Sequence, residues 1–196
     1  MIIHNLEQGT PEWFAVRLGK LTASDAQAIA TAGKGLDTLV IEKVAELMTG
    51  KQKPQIQNAN LDRGHLLEPM ARDSYEIETG VPVVEVGFCE LDEFIGASPD
   101  GMVGEDGLAE IKCKDDSNFV RYLLDKKIDT AHEWQMQMQM WVTGREWVDY
   151  IVFNDNFPNP IVIQRVMRNE VSIAKLQAGC SLASGQIKSI LERIKC

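Results

Sequence analysis

Asp100 and Glu110 are separated by the nine residues from Gly101 to Ala109, and Lys112 follows two positions after Glu110. The spacing predicts that Asp100 ends one strand while Glu110 and Lys112 project from one face of the next, because alternate residues share a strand face. Acids grouped in this way repel each other unless a hard cation lies between them. Oxygen donors without His or Cys among them favour Mg²⁺ or Mn²⁺ over zinc. On a surface hairpin Glu110 and Lys112 would merely pair in solvent, but Leu108, Ile111 and Cys113 mark a strand with a buried face.

Helices and strands must position this group. Thr10 and Pro11 read as a cap and first position of a short helix through Trp13 and Val16. Thr22 to Ser24 offers a second cap before a helix to about Ala32. Helical spacing resumes from Leu36 to Met48 and stops at Gly50, and residues 51–60 read as a polar loop. From about Leu61 to Thr79, Leu67, Met70, Ala71 and Ser74 fit one helical face ending at Gly80, which places Glu68 on a helix. Extended segments are predicted over 81–91, 94–102 and 108–112. A helix over 131–142, strands over 147–154 and 161–166, and a helix from about Val171 follow. The order α-β-β-β-α-β implies an α/β (α+β) fold with a mixed central sheet flanked by helices.

At 196 residues and 44% hydrophobic the chain suits one domain, read as residues 1–60, 61–154 and 155–196 around a single core. The four cysteines show no Cys-x-x-Cys pairing and read as reduced thiols. Residues 1–4 lack a secretory pattern and no apolar run is long enough to span a bilayer, so a cytoplasmic protein is expected. A net charge of −9 argues against a general nucleic-acid coat, and any DNA site must concentrate its positive charge locally. His4, His65 and His132 are isolated, and no Ser/His/Asp or Cys/His arrangement is apparent.

Gln137 lies among Trp134, Met138 and Trp141 on one expected helical face, while Gln135 and Gln139 are expected to point away. A polar side chain in an apolar stripe needs a partner, in the core or in a site.

Asp100 after Pro99, nine residues, then Glu110-Ile111-Lys112 resembles the signature of the PD-(D/E)XK nuclease superfamily. The ordered set Trp13 to Ser24, Gly64 with Glu68, Ser98 to Gly101, Leu108 to Cys113, and Gln137 ahead of Met140 to Thr143 resembles the lambda-exonuclease or YqaJ-type viral recombinase family from about residue 7 to 153. The resemblance implies a restriction-endonuclease-like core and two Mg²⁺ (Mn²⁺ possible) per active site. Asp100, Glu110, the Ile111 carbonyl and Glu68 would hold the metal, Lys112 would position the attacking water, and Gln137 would help orient Lys112 or that water. Arg17 and Ser24 would grip a 5′ phosphate, where arginine offers a fixed fork and a helix start favours an anion. Leu61 would wedge the strands apart, or else pack in the core.

The activity so implied is 5′-to-3′ digestion of one strand of linear duplex DNA to mononucleotides, leaving a 3′ single strand. A ring-shaped homotrimer, a phage single-strand annealing partner and the cytoplasm of a bacterial host are implied with it. Rival expectations are an endonuclease of the same superfamily and a non-catalytic DNA-end-binding scaffold.

Overall fold

Trp13 donates its N–H to Thr10 Oγ1 at 3.4 Å, and Pro11 opens the helix this cap begins, α1 (Pro11–Val16). The computed structural model describes residues 1–52 and 59–195, and the side chains of 1–52 and 63–194. Most of the loop expected over 51–60, the side chain of Leu61, and Cys196 lie outside these.

The helices α2 (Ala26–Thr31), α3 (Lys34–Thr49), α4 (Ala59–Thr79), α6 (Thr130–Thr143) and α7 (Glu170–Lys195) lie where apolar spacing puts them. Gly50, Gly80 and Gly144 follow three of them with positive φ, a backbone that glycine adopts without a Cβ penalty. The buried stripe of α4 is Leu67, Ala71 and Tyr75, whereas Met70 is 49% exposed. An i, i+4, i+8 line therefore replaces the face expected through Met70 and Ser74. A helix that periodicity did not mark, α5 (Asp116–Asp125), is capped by Asp115 through the Asn118 N–H and buries Phe119 and Tyr122.

The two long extended segments expected over 81–91 and 94–102 each break in two, and the halves go to different sheets. One sheet runs β1 (Ile2–His4), β4 (Phe88–Glu90), β5 (Ile95–Ala97), β2 (Leu21–Thr22). The other runs β3 (Val83–Val84), β6 (Gly101–Val103), β7 (Gly107–Cys113), β8 (Trp147–Phe153), β9 (Ile161–Met167). Its pairs are antiparallel except β7 with β8, which are parallel and joined through α5 and α6. The architecture is thus mixed α/β with two mixed sheets, where a single central sheet was expected.

Strand alternation on β7 sorts the second sheet's faces. Ala109 and Ile111 pack with Leu67, Ala71 and Tyr75 of α4. Leu108 packs on the other side with Phe119 and Tyr122 of α5 and Met136 and Met140 of α6. A third core joins Met138 and Val142 of α6 to α2, α3, α7 and the first sheet, so α6 lies between two cores. Among the described residues no helix is long and apolar enough to cross a membrane.

Candidate active site

The register of β6 and β7 sets Gly101 opposite Ala109 and Val103 opposite Gly107, so the nine residues between Asp100 and Glu110 form one hairpin that brings the two acids side by side. Gly101 lets β3 close over the hairpin, since a Cβ there would meet Val83 Cγ1 at 2.1 Å. Asp100 Oδ2 accepts the Ile111 N–H at 2.6 Å. Burial, then the facing charges of Glu110 and Glu68, push the Asp100 carboxyl well above the usual carboxylate range against the pull of Lys112.

Lys112 Nζ lies 2.5 Å from Glu110 Oε1. Burial favours the neutral amine, but Glu110 and Asp100 outweigh it and the Lys112 pKa is raised, so it remains an ammonium. Glu110 is fully buried and takes two further donors, Gln135 Nε2 on Oε1 at 2.7 Å and Gln139 Nε2 on Oε2 at 2.6 Å. On α4, Glu68 accepts from Arg72 at 3.2 Å, and Arg72 also pairs with Glu85. Burial raises the Glu68 carboxyl, with Arg72 opposing. A cleft of about 380 Å³ takes in Glu68, Asp100, Glu110, Ile111 and Lys112, and Gly64 beside Glu68 has nothing within 4 Å of where its Cβ would lie.

Arg17 and Ser24 line the same cleft, with Gln8, Trp13 and Ser98. Arg17 donates to Ser98 Oγ at 2.9 Å and lies 4.0 Å over the Trp13 ring. Trp13 Nε1 in turn donates to Gly87 O at 2.8 Å and Ser98 Oγ at 3.2 Å, and Gln8 holds Pro99 O at 3.0 Å. The loop that carries Asp100 is thereby tied to the arginine. Burial lowers the Arg17 pKa to about 10, with Asp25 and Glu46 opposing, so the guanidinium is still charged at neutral pH. Ser24 does not cap a helix as expected. Asp25 accepts both the N–H and the hydroxyl of Thr22 at 3.0 Å, and Ser24 sits inside the short 3-10 turn Ala23–Asp25 with Oγ 2.9 Å from Thr22 Oγ1.

Gln137 is the clear correction. Its Nε2 donates to Met167 O at 2.9 Å and its Oε1 accepts the Asn169 N–H at 2.8 Å, so its amide joins α6 to the end of β9 rather than to Lys112. The glutamines expected to point away, Gln135 and Gln139, hold Glu110. They lie four residues apart on one helical face, and that spacing facing a strand acid was the available signal. Ser98, beside Pro99 and Asp100, had no comparable sign of its bond to Arg17. Two more side chains in the cleft were unassigned, Lys114 and His132. His132 Nδ1 is 2.8 Å from the Tyr150 hydroxyl, and burial followed by Lys112 lowers its pKa to about 4, leaving it neutral.

Among the described residues no three His, Cys, Asp or Glu side chains close into a ready metal cage. The donor chemistry nevertheless fits a small divalent ion: Asp100, Glu110, Glu68 and the Ile111 carbonyl are all hard oxygens. Burial first, and then repulsion from Glu110 and Glu68, raises Asp100, a cost that a cation between the acids would relieve.

This architecture is that of solved exonucleases. It superposes on an alkaline exonuclease, LHK-Exo from Laribacter hongkongensis, with a TM-score of 0.88 and 36% identity, covering 95% of this chain and 96% of that one. LHK-Exo in complex with dAMP matches equally, at 37% identity with the same coverage and TM-score. A phage related exonuclease from Haemophilus somnus 129PT shares the fold at a TM-score of 0.70 and 18% identity, covering 89% of this chain and 96% of that one. A YqaJ-like viral recombinase domain matches residues 12–146, and the chain belongs to that family. No curated protein matches it.

Proposed function

We propose that this chain is a divalent-metal-dependent exodeoxyribonuclease that removes mononucleotides from the 5′ end of one strand of linear duplex DNA. The observation that carries this reading is the single cleft joining Arg17, Ser24 and Ser98 to Asp100, Glu110 and Lys112. A terminal phosphate and a scissile phosphate need two such neighbouring groups. The likeness to an alkaline exonuclease, a relative also solved with dAMP, supports the same chemistry.

In this reading Asp100, Glu110, the Ile111 carbonyl and Glu68 would hold Mg²⁺, or Mn²⁺, two ions per site. When bound, such ions activate water and neutralise charge on the reacting phosphate and its leaving oxygen. Lys112, kept protonated, donates to the incoming water or the phosphate oxygens rather than acting as a free base. Gln135 and Gln139 fix the Glu110 carboxylate, and Arg17 sets the terminal phosphate, so the strand enters in one polarity. A homotrimeric ring suits an acidic protein, because enclosure holds DNA without a broadly basic surface. The 3′ strand left behind is the substrate of a single-strand annealing protein, the partner expected in phage recombination inside a bacterial cell.

Linear duplex labelled at one 5′ or one 3′ end, digested with and without Mg²⁺ beside a closed circle, tests the proposal. Metal-dependent loss of the 5′ label as mononucleotide is expected, erased by Lys112→Ala, with the preference for phosphorylated ends lost in Arg17→Ala. A nicked circle would point to an endonuclease, and no cutting in Mg²⁺ or Mn²⁺ to a binding scaffold.

A further inference from the structure

Glu110 and Lys112 alternate along β7, and one further step, about 6.6 Å at the usual strand rise, reaches Lys114, which lines the same cleft. Its backbone is fixed: the N–H donates to Phe153 O at 3.0 Å, and the carbonyl accepts from Arg63 at 3.1 Å and Asn154 at 3.0 Å. Its ammonium is loosely held, 3.9 Å from Asp129 Oδ2. That same oxygen is 3.9 Å from His132 Nδ1, which is engaged with Tyr150. Asp129 is 70% exposed and begins α6 without a side-chain capping bond. One exposed carboxylate oxygen, 3.9 Å from both an ammonium and a ring nitrogen, marks a place where an anion is favoured and not clasped.

We propose that Lys114 and His132 form a subsite for a DNA backbone phosphate, one repeat along the strand from the phosphate served by Lys112, entered by displacing Asp129. The inference rests on the nuclease reading of the cleft and adds to it a grip on the strand beyond the cut. Lys114 supplies the charge and His132, its Nδ1 engaged with Tyr150, a neutral wall to the site, and a backbone phosphate carries no base identity, so the subsite holds any sequence alike.

The test is equilibrium binding of a 5′-phosphorylated duplex over a range of salt, with Ca²⁺ replacing Mg²⁺ so that binding is read without turnover. Lys114→Gln should weaken binding of every sequence and flatten the slope of log K against log salt by about 0.7–0.9, one phosphate contact. Asp129→Asn keeps a good helix-start residue and should bind more tightly, a sign that a damaged fold does not give. An unchanged slope in Lys114→Gln, or binding no tighter in Asp129→Asn, overturns the subsite. Digestion by the unmodified protein in Mg²⁺ separates the two failures: cutting with an unchanged slope overturns the subsite alone, and no cutting overturns the nuclease reading beneath it.

Discussion

The three alternate glutamines of α6 make the sharpest test of the site, because the structure gives neighbours in sequence opposite tasks. In Gln137→Leu two hydrogen bonds are lost, to Met167 O and from Asn169 N–H. Each is worth about 0.5–1.5 kcal/mol net, and since both residues are exposed water recovers part of the loss, giving about 1–2 kcal/mol in all. For a chain of this size that lowers Tm by about 2–8 °C, with turnover close to that of the unmodified protein. Gln139→Leu has the reverse signature. It removes a bond to a charged, buried acceptor worth about 1.5–3 kcal/mol, but also a buried Gln139 Oε1 with no partner, whose burial costs about 1–3 kcal/mol. At their central values the two nearly cancel, so Tm is expected to move little. Glu110, however, loses an amide that holds its carboxylate, and turnover should fall about tenfold or more, equivalent to about 1.4 kcal/mol of barrier. Thermal denaturation followed by fluorescence, with initial rates on labelled duplex, measures both. Loss of turnover in Gln137→Leu at unchanged Tm, with Gln139→Leu fully active, would refute the assignment.

Asp149 is buried and accepts from Tyr75 at 2.7 Å and from Arg165 at 2.8 and 2.9 Å. Asp149→Ala strands the Tyr75 hydroxyl while the half-exposed Arg165 returns to water, so a loss of about 2 kcal/mol is expected in urea denaturation. Burial pushes the Cys89 thiol up to about 11 and the Cys180 thiol up to about 12. At pH 8 both should resist alkylation in the native protein and react after unfolding, as peptide mass spectrometry would show. His132, ordinarily near 6.5 and here about 4, takes up its proton in the unfolded chain first. Stability is therefore lost as pH falls from about 6.5 towards 4, and His132→Gln should lose less than the unmodified protein over that window in denaturation at pH 7 and pH 5.

The hairpin that carries Asp100, Glu110 and Lys112 was legible because its information is local: nine intervening residues, one turn and strict alternation. The helix boundaries were legible for the same reason, through Thr10, Gly50 and Gly80. What the sequence hid was partnership at a distance. A chain segment of even extended character does not reveal that residues 83–84 and 88–90 belong to different sheets, since that depends on whether β1 or β6 lies beside each. The Arg17 to Ser98 bond joins residues 81 apart in the chain, and no periodicity reports it.

Helix α6 shows where periodicity gives the wrong answer rather than none. A surface helix has one apolar stripe, and a polar residue inside that stripe is then the informative one. α6 is buried on two sides, with Met138, Val142 and the partly buried Trp134 and Trp141 against one core and Met136 and Met140 against another. Both faces are apolar, so the stripe holding Gln137 was one of two, and nothing in the spacing says which meets the strand acids. Strand geometry narrows it. Leu108 points to the core that contains Met136 and Met140, so Glu110, two residues on, points there too. Of the three glutamines beside those methionines, Gln135 and Gln139 lie one turn apart and both reach Glu110, while Gln137 turns to the end of β9. The alternation of β7 and the i, i+4 spacing of Gln135 and Gln139 together account for a contact that neither explains alone. The same alternation carries Lys114 into the cleft beyond Lys112, where Asp129 holds the place of an anion.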